Sequence, residues 1–316
     1  MHCAAPNNAF MVPVFFALIP FIPFLQLPPQ QASHPPVVTA YVPQRVFDTR
    51  QNSFGDFESM LADLARADVV FVGEQHEDPN THRLELALIE GLVRRHTPVV
   101  LAMEMFERDV QPVLDQYAAG QIREEEFLAQ SRPWPKYATD YRPLVEFARA
   151  HKLPIIASDV PRRIAADVSK TGIAVLDTLG NDRRLAARDL QCPTAGDYYD
   201  RFIEMMGSHP TSGDTAAAES RARNDRFYLA QCLKDETMAE SIVDAFQKAA
   251  GARTTIVHVN GAFHSDYGEG TAARTRRRLA GRRIAVVSIL PIDDIDTERP
   301  DQDDVKLGDY LVYTIK

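Results

Sequence analysis

The stretch from Asp68 to Pro79 constrains this chain more than any other. Asp68-Val69-Val70-Phe71-Val72 suits a buried strand, and it runs directly into Gly73-Glu74-Gln75-His76-Glu77-Asp78. An unbroken apolar strand belongs to a sheet covered on both faces. Asp78 followed by Pro79 is a helix start, a capping carboxylate and then a residue whose φ is already helical. A strand that empties into polar groups just before a helix is where open α/β sheets place ligands. Glu74 and His76 therefore read as half of a polar site, with the rest supplied from elsewhere in the chain.

The same alternation recurs. Strands are expected at Pro98–Met103, Leu153–Ser158, Thr254–Val259 and Arg283–Leu290, with edge strands at Tyr41–Asp48 and Tyr310–Ile315. Helical spacing marks Phe57–Ala65, the run after Pro79, Val110–Tyr117, Glu124–Gln130 and Tyr141–His151. Between about residues 172 and 250 only helices are expected, chiefly Asp197–Met206, Ala216–Leu233 and Met238–Ala249. The expected fold is α/β, a mostly parallel central sheet flanked by helices. Residues 39–316 form one domain, with the helical block as an insertion.

Two function classes are disfavoured. No Gly-rich dinucleotide fingerprint follows a strand, and no phosphate-binding P-loop sequence is present. A net charge of −9 argues against general nucleic-acid binding, which needs a basic surface. Arg274, Arg276, Arg277, Arg278, Arg282 and Arg283 form a local basic cluster, expected to be a solvated helix face, with binding of ligand carboxylates or of an anionic surface as the alternative.

Residues 10–27, FMVPVFFALIPFIPFLQL, are almost wholly apolar, and residues 28–38 read as a Pro-rich linker. The run resembles the core of a secretory signal. No Lys or Arg precedes it, and Pro13, Pro20 and Pro23 interrupt any helix. Residues 1–38 are read as an atypical export signal or membrane anchor, placing the protein in the periplasm or at a membrane. The alternative is an intracellular protein whose start lies further along. Cys192 and Cys232 pair if the protein is exported; the plainer expectation is two buried thiols.

A second stretch matches the first. Gly261-Ala262-Phe263-His264 repeats the Gly-x-x-His spacing of Gly73–His76 after another buried strand. The glycines are expected to permit sharp turns. Glu104 ends the strand taken to neighbour the first, and His258 lies within the second motif's strand. Glu74, His76, Glu104 and His264 are the expected catalytic set. With His258 they are the expected ligands of a divalent metal, since imidazoles and carboxylates supply nitrogen and oxygen donors. Without metal, a histidine oriented by a glutamate is a general base near neutral pH.

The chain resembles the ChaN-like haem-binding family, which shares a superfamily with the Tiki metalloproteases and the erythromycin esterases. The resemblance rests on VVFVGEQHEDPNTH at 69–82, VVLAMEMFERDVQPVLDQYAAG at 99–120 and DYRPLVEFAR at 140–149. It continues through IIASDVPRRIA at 155–165, AQCLKDETMAESI at 230–242 and VHVNGAFHSDYG at 257–268. It implies two different activities. One is haem binding in iron uptake by an exported, homodimeric protein with a tyrosine ligand and a nearby histidine. The other is hydrolysis at the paired Gly-x-x-His motifs. The Asp-x-x-Met-Ala signature falls on Asp235–Ala239, and Asp159 stands where related sequences often carry Asn. Haem needs an axial donor in an apolar slot, and the helix around Tyr198 and Tyr199, ending near His209, offers candidates. Tyr137 and Tyr141, near Trp134, are the alternative pair.

Overall fold

The computed structural model describes residues 41–207, 214–249 and 254–316. The apolar leader and His209 lie outside the described residues. No described helix is long and apolar enough to cross a membrane.

The order along the chain is β1 (Gln44–Asp48), β2 (Ser53–Gly55), α1 (Phe57–Leu64), β3 (Val69–Glu74), α2 (Pro79–Arg94) and β4 (Val99–Glu107). Then come α3 (Gln111–Ala118), α4 (Glu124–Ser131), α5 (Tyr137–Asp140), α6 (Arg142–Ala150), β5 (Ile155–Asp159) and α7 (Arg162–Thr171). Two short 3-10 segments lead to α8 (Asp197–Met206) and α9 (Asp214–Lys248). The chain ends with β6 (Thr255–Gly261), α10 (Gly270–Arg278), β7 (Ile284–Ile292) and β8 (Tyr310–Ile315). All belong to one unit, Tyr41–Lys316.

The eight strands form one sheet in the order β2-β1-β8-β7-β3-β6-β4-β5. From β8 through β5 every pairing is parallel, and β1 runs antiparallel to both neighbours. The mostly parallel α/β fold expected from sequence is present. β3 shows why its strand had to be apolar throughout. Val70 and Val72 pack with Leu84 and Leu88 on one face, while Val69 and Phe71 pack with Ile242 and Ala272 on the other. The start of α2 is also as expected, with Asp78 accepting a 2.7 Å hydrogen bond from the Thr81 amide.

Five expectations are corrected. β4 does not neighbour β3, because the late strand β6 lies between them. β8 is an interior strand held between β1 and β7, and β1 is likewise interior because the short strand β2 pairs outside it. β1 begins only at Gln44, past Pro43, which has no amide hydrogen to give a ladder. The two helices expected across 216–249 are one continuous helix, α9. Its central residues Asp235, Glu236 and Thr237 are fully buried, so a polar stretch that reads as a break is the core-facing middle of the helix.

The helical block is tied down by charge and by a covalent bond. Arg274, Arg277 and Arg278 converge on the buried Glu236 carboxylate at 3.3, 2.9 and 2.6 Å. This part of the basic cluster is therefore a structural ion-pair network rather than a solvated face. Cys192 and Cys232 are joined by a disulfide, in place of the two thiols expected.

Candidate functional site

The register β3·β6 places Glu74 beside Gly261, so the two Gly-x-x-His motifs lie side by side at the C-terminal end of the sheet. Neither motif glycine has a positive φ. Their role is close approach rather than a sharp turn. A Cβ on Gly73 would lie 3.0 Å from Ser265 Oγ, and one on Gly261 would lie 2.6 Å from His76 Nε2. The His76 ring thus rests on the bare backbone of the partner motif.

His76 is half-exposed, and its Nδ1 hydrogen-bonds Glu74. Trp134 meets the ring edge-on at 5.2 Å between centroids. Burial disfavours the charged ring, but the bond to Glu74 and the charges of Glu74 and Glu104 hold its pKa above the ordinary value. Glu74 is buried, which alone would raise its pKa. The bond from His76 and the charge of nearby His82 outweigh that and bring it down to about 2. Tyr141 also donates to Glu74, at 2.8 Å.

His264 is held between two carboxylates, 3.2 Å from Glu104 and 2.7 Å from Asp235. Burial opposes its charge, but those two anions push its pKa up to about 9. Glu104 accepts in addition from Lys234 at 2.9 Å and from the Gly261 amide at 2.8 Å. Despite burial, the His264 and Lys234 charges keep it well below the usual carboxylate range. Asp159 lies 3.3 Å from Lys234. Burial raises it to about 6, Lys234 opposing and Glu104 adding.

These groups floor a cleft of about 770 Å³, within the range of small-molecule sites. Its rim is apolar. Met205 is 58% exposed and Tyr267 is 38% exposed, and both line this cleft with Phe263 and Trp134. Tyr267 sits between two short turns with φ at 61°, an unusual conformation for a non-glycine residue. Arg201 lies over its ring at 4.1 Å.

Glu74, His76, Glu104 and His264 therefore line one cleft. His258, expected among the metal ligands, lies outside it. It is wholly buried in β6, bonded to Ser158 at 3.0 Å and Asn260 at 2.9 Å, and burial brings its pKa down to about 4. The tyrosines named as cofactor candidates have hydroxyls already in use. Tyr198 donates to Asp235 at 2.6 Å and Tyr199 to Asp225 at 2.5 Å. Burial and the Asp235 charge lift Tyr198 well above its usual pKa. Tyr137 and Tyr141 are buried in the core, and the Tyr141 hydroxyl is already given to Glu74.

Sequence reasoning passed over Lys234, Tyr267, His82 and Glu85. Tyr267 was signalled only by its place after the second motif, in the turn Asp266-Tyr267-Gly268. His82 and Glu85 on α2 were signalled by a buried-face position. Glu85 shares the face of Leu88, Ile89 and Leu92, and all are buried. Among the described residues, Glu74, His82 and Glu85 form the one group whose ligand-type atoms all lie within 4.8 Å of one another.

The fold and cleft define an α/β protein with a polar, histidine-bearing site at the C-terminal ends of parallel strands. Residues 60–275 match the family described as haem-binding uptake, Tiki superfamily, ChaN, and the chain belongs to that family. The structure of ChaN from Campylobacter jejuni with cofacial haem is similar over 86% of this chain and 97% of that one, with a TM-score of 0.62 and 16% identity. An erythromycin esterase structure overlaps 86% of this chain and 83% of that one, but its TM-score of 0.40 at 15% identity carries no weight. In sequence, the chloroplastic protein RETICULATA-RELATED 5 of Arabidopsis thaliana is 26% identical over 72% of this chain. The match spans only 32% of that protein's length.

Proposed function

We propose that this protein binds haem in the cleft above His76, with Tyr267 as the iron ligand and His76 beside it, in haem or iron uptake. The observation that carries the reading is the rim. Two of the four large apolar side chains most exposed among the described residues, Met205 and Tyr267, line this one cleft over a charged floor. An exposed apolar rim over polar groups suits a flat amphipathic ligand. Bound haem presents an iron centre that an oxygen or nitrogen donor can ligate. Tyr267 is the tyrosine that lines the cleft, and Arg201, which is ion-paired with Glu269, lies over its ring. The family membership supports the same ligand.

The open cleft leaves one face of such a ligand uncovered, which supports closure by a second copy of the chain. The Cys192–Cys232 bond and the apolar run at residues 10–27 support an exported or membrane-associated protein, because disulfides persist in oxidising compartments. The test is titration of the purified protein with haem, followed by absorption. One haem per chain with a saturable Soret shift is expected, lost in Tyr267→Phe and kept in Tyr199→Phe. Unsaturable uptake, or identical behaviour in both variants, contradicts the reading.

A second reading is favoured by the Glu74–His76 pair, in which a carboxylate orients a half-exposed imidazole, the geometry of a general base. Under it the protein is a hydrolase. His76→Ala and His264→Ala then each abolish a hydrolytic activity while the circular dichroism stays native. Hydrolysis that survives both substitutions rules this out.

A further inference from the structure

We propose that Glu74, His82 and Glu85 hold one divalent metal ion of the Zn2+ type, buried beneath the floor of the cleft. The haem reading does not require it and uses none of these three as iron ligands. All three side chains are buried, at 1%, 4% and 0% exposure, so water does not satisfy them. Yet Glu74 Oε2 and Glu85 Oε1 have no hydrogen-bond partner among the described residues. Their ion pairs are with histidines alone. Glu74 meets His76 and His82, and Glu85 meets His82. Two buried carboxylates without Arg or Lys are compensated either by a cation or by a proton.

The spacing suits a metal. A tetrahedral ion about 2.1 Å from each donor sets neighbouring donors roughly 3.4 Å apart. His82 Nδ1 lies 3.4 Å from Glu74 Oε2 and 3.2 Å from Glu85 Oε2. An imidazole and two carboxylates form a nitrogen–oxygen set suited to zinc, manganese or ferrous iron. The outer contacts are those of a metal site as well. His82 Nε2 donates to the His76 carbonyl at 3.1 Å, which leaves Nδ1 as the atom facing the carboxylates. Tyr141 donates to the other oxygen of Glu74 at 2.8 Å. Such partners fix the tautomer and aim the ligands.

The local sequence builds the group. Glu74 closes β3, and His82 and Glu85 are one turn apart on the buried side of α2, as i,i+3 spacing requires. Because Glu74 also bonds His76, an ion here would fix the histidine at the cleft floor from below.

The competing occupants are protons on His82 Nδ1 and on the Glu85 carboxyl, and the experiment separates metal from protons. The full chain, purified without metal-affinity resin, is analysed for bound metal. It is then stripped with chelator and reloaded with Zn2+ or Mn2+ alone while melting is followed. About one equivalent of metal per chain is expected, with a melting temperature that rises on reloading. Glu85→Gln and His82→Gln should each weaken uptake at least tenfold and remove the rise. X-ray absorption at the metal edge of the unmutated protein needs no variant. It should show nitrogen and oxygen neighbours including one imidazole, and no sulfur. Absence of stoichiometric metal together with no melting response to either ion overturns the proposal in favour of the protons. Uptake unchanged in Glu85→Gln and His82→Gln, or a spectrum with several imidazoles, overturns it in favour of another site.

Discussion

The His76 imidazole rests on Gly261, and a Cβ at that glycine would stand 2.6 Å from its Nε2. Each motif therefore shapes the other. β6 supplies the bare backbone, and the turn after β3 supplies the ring that lies on it. Gly261→Ala should push the ring off its seat while leaving the sheet ladder intact, because Gly261 has an ordinary φ of −54°. Haem affinity measured by Soret titration is expected to fall about tenfold, or ~1.4 kcal/mol. An unchanged affinity means that the position of His76 does not matter to the ligand.

The Asp235–His264–Glu104 chain makes a pH prediction. His264 rises from 6.5 to about 9 in the fold, so the folded state holds the proton more tightly than the unfolded one. This stabilisation is fully present below pH 6.5 and is lost as pH rises through about 9. It amounts to a few kcal/mol, at about 1.4 kcal/mol per pH unit. Melting temperatures between pH 6 and 10 should drop more steeply for the unmutated protein than for His264→Gln. Parallel curves contradict the assignment.

Asp266 titrates by a different cause. Burial raises it from 3.8 to about 7, and its Oδ1 and the Ser288 hydroxyl lack hydrogen-bond partners among the described residues. The fold prefers the neutral acid. Stability is therefore lost as pH rises from 3.8 to about 7. Asp266→Asn keeps the shape without the charge. It should melt higher than the unmutated protein at pH 8, with the gap narrowing at pH 5. An equal destabilisation at both pH values contradicts this.

The disulfide joins residues 40 apart in sequence and clamps the segment before α8 onto α9. Closing a loop of that length in the unfolded chain is worth about 4 kcal/mol. Reduction, or Cys192→Ser with Cys232→Ser, is expected to lower the denaturation free energy by that order. A change under about 1 kcal/mol, small on the scale of disulfide effects, would mean that the segment is held without the bond.

Much of this was legible in the sequence because it is local. The apolar run Val69–Val72, the Asp78-Pro79 helix start and the two Gly-x-x-His stretches each declare themselves within a few residues. Glu74, His76, Glu104 and His264 could be named because polar groups at the ends of apolar strands stand out. Strand order was not legible. Placing β6 between β3 and β4 is a long-range choice that parallel strands leave no local trace of. The glycines were recognised but misread, since a close approach and a sharp turn select the same residue. His82 and Glu85 were hidden because α2 reads as amphipathic with or without them, and Tyr267 because one tyrosine in a turn carries no pattern. His258 stands apart from the cleft set. A histidine in a buried strand is more simply satisfied by Ser158 and Asn260.

The central claim is that Tyr267, on the cleft rim, ligates haem iron. Resonance Raman spectroscopy of the ferric haem complex tests it most directly. The account predicts tyrosinate–iron modes in the unmutated protein and in Tyr199→Phe, absent from Tyr267→Phe. Tyrosinate modes that persist in Tyr267→Phe, or a complex that shows none at all, would contradict it.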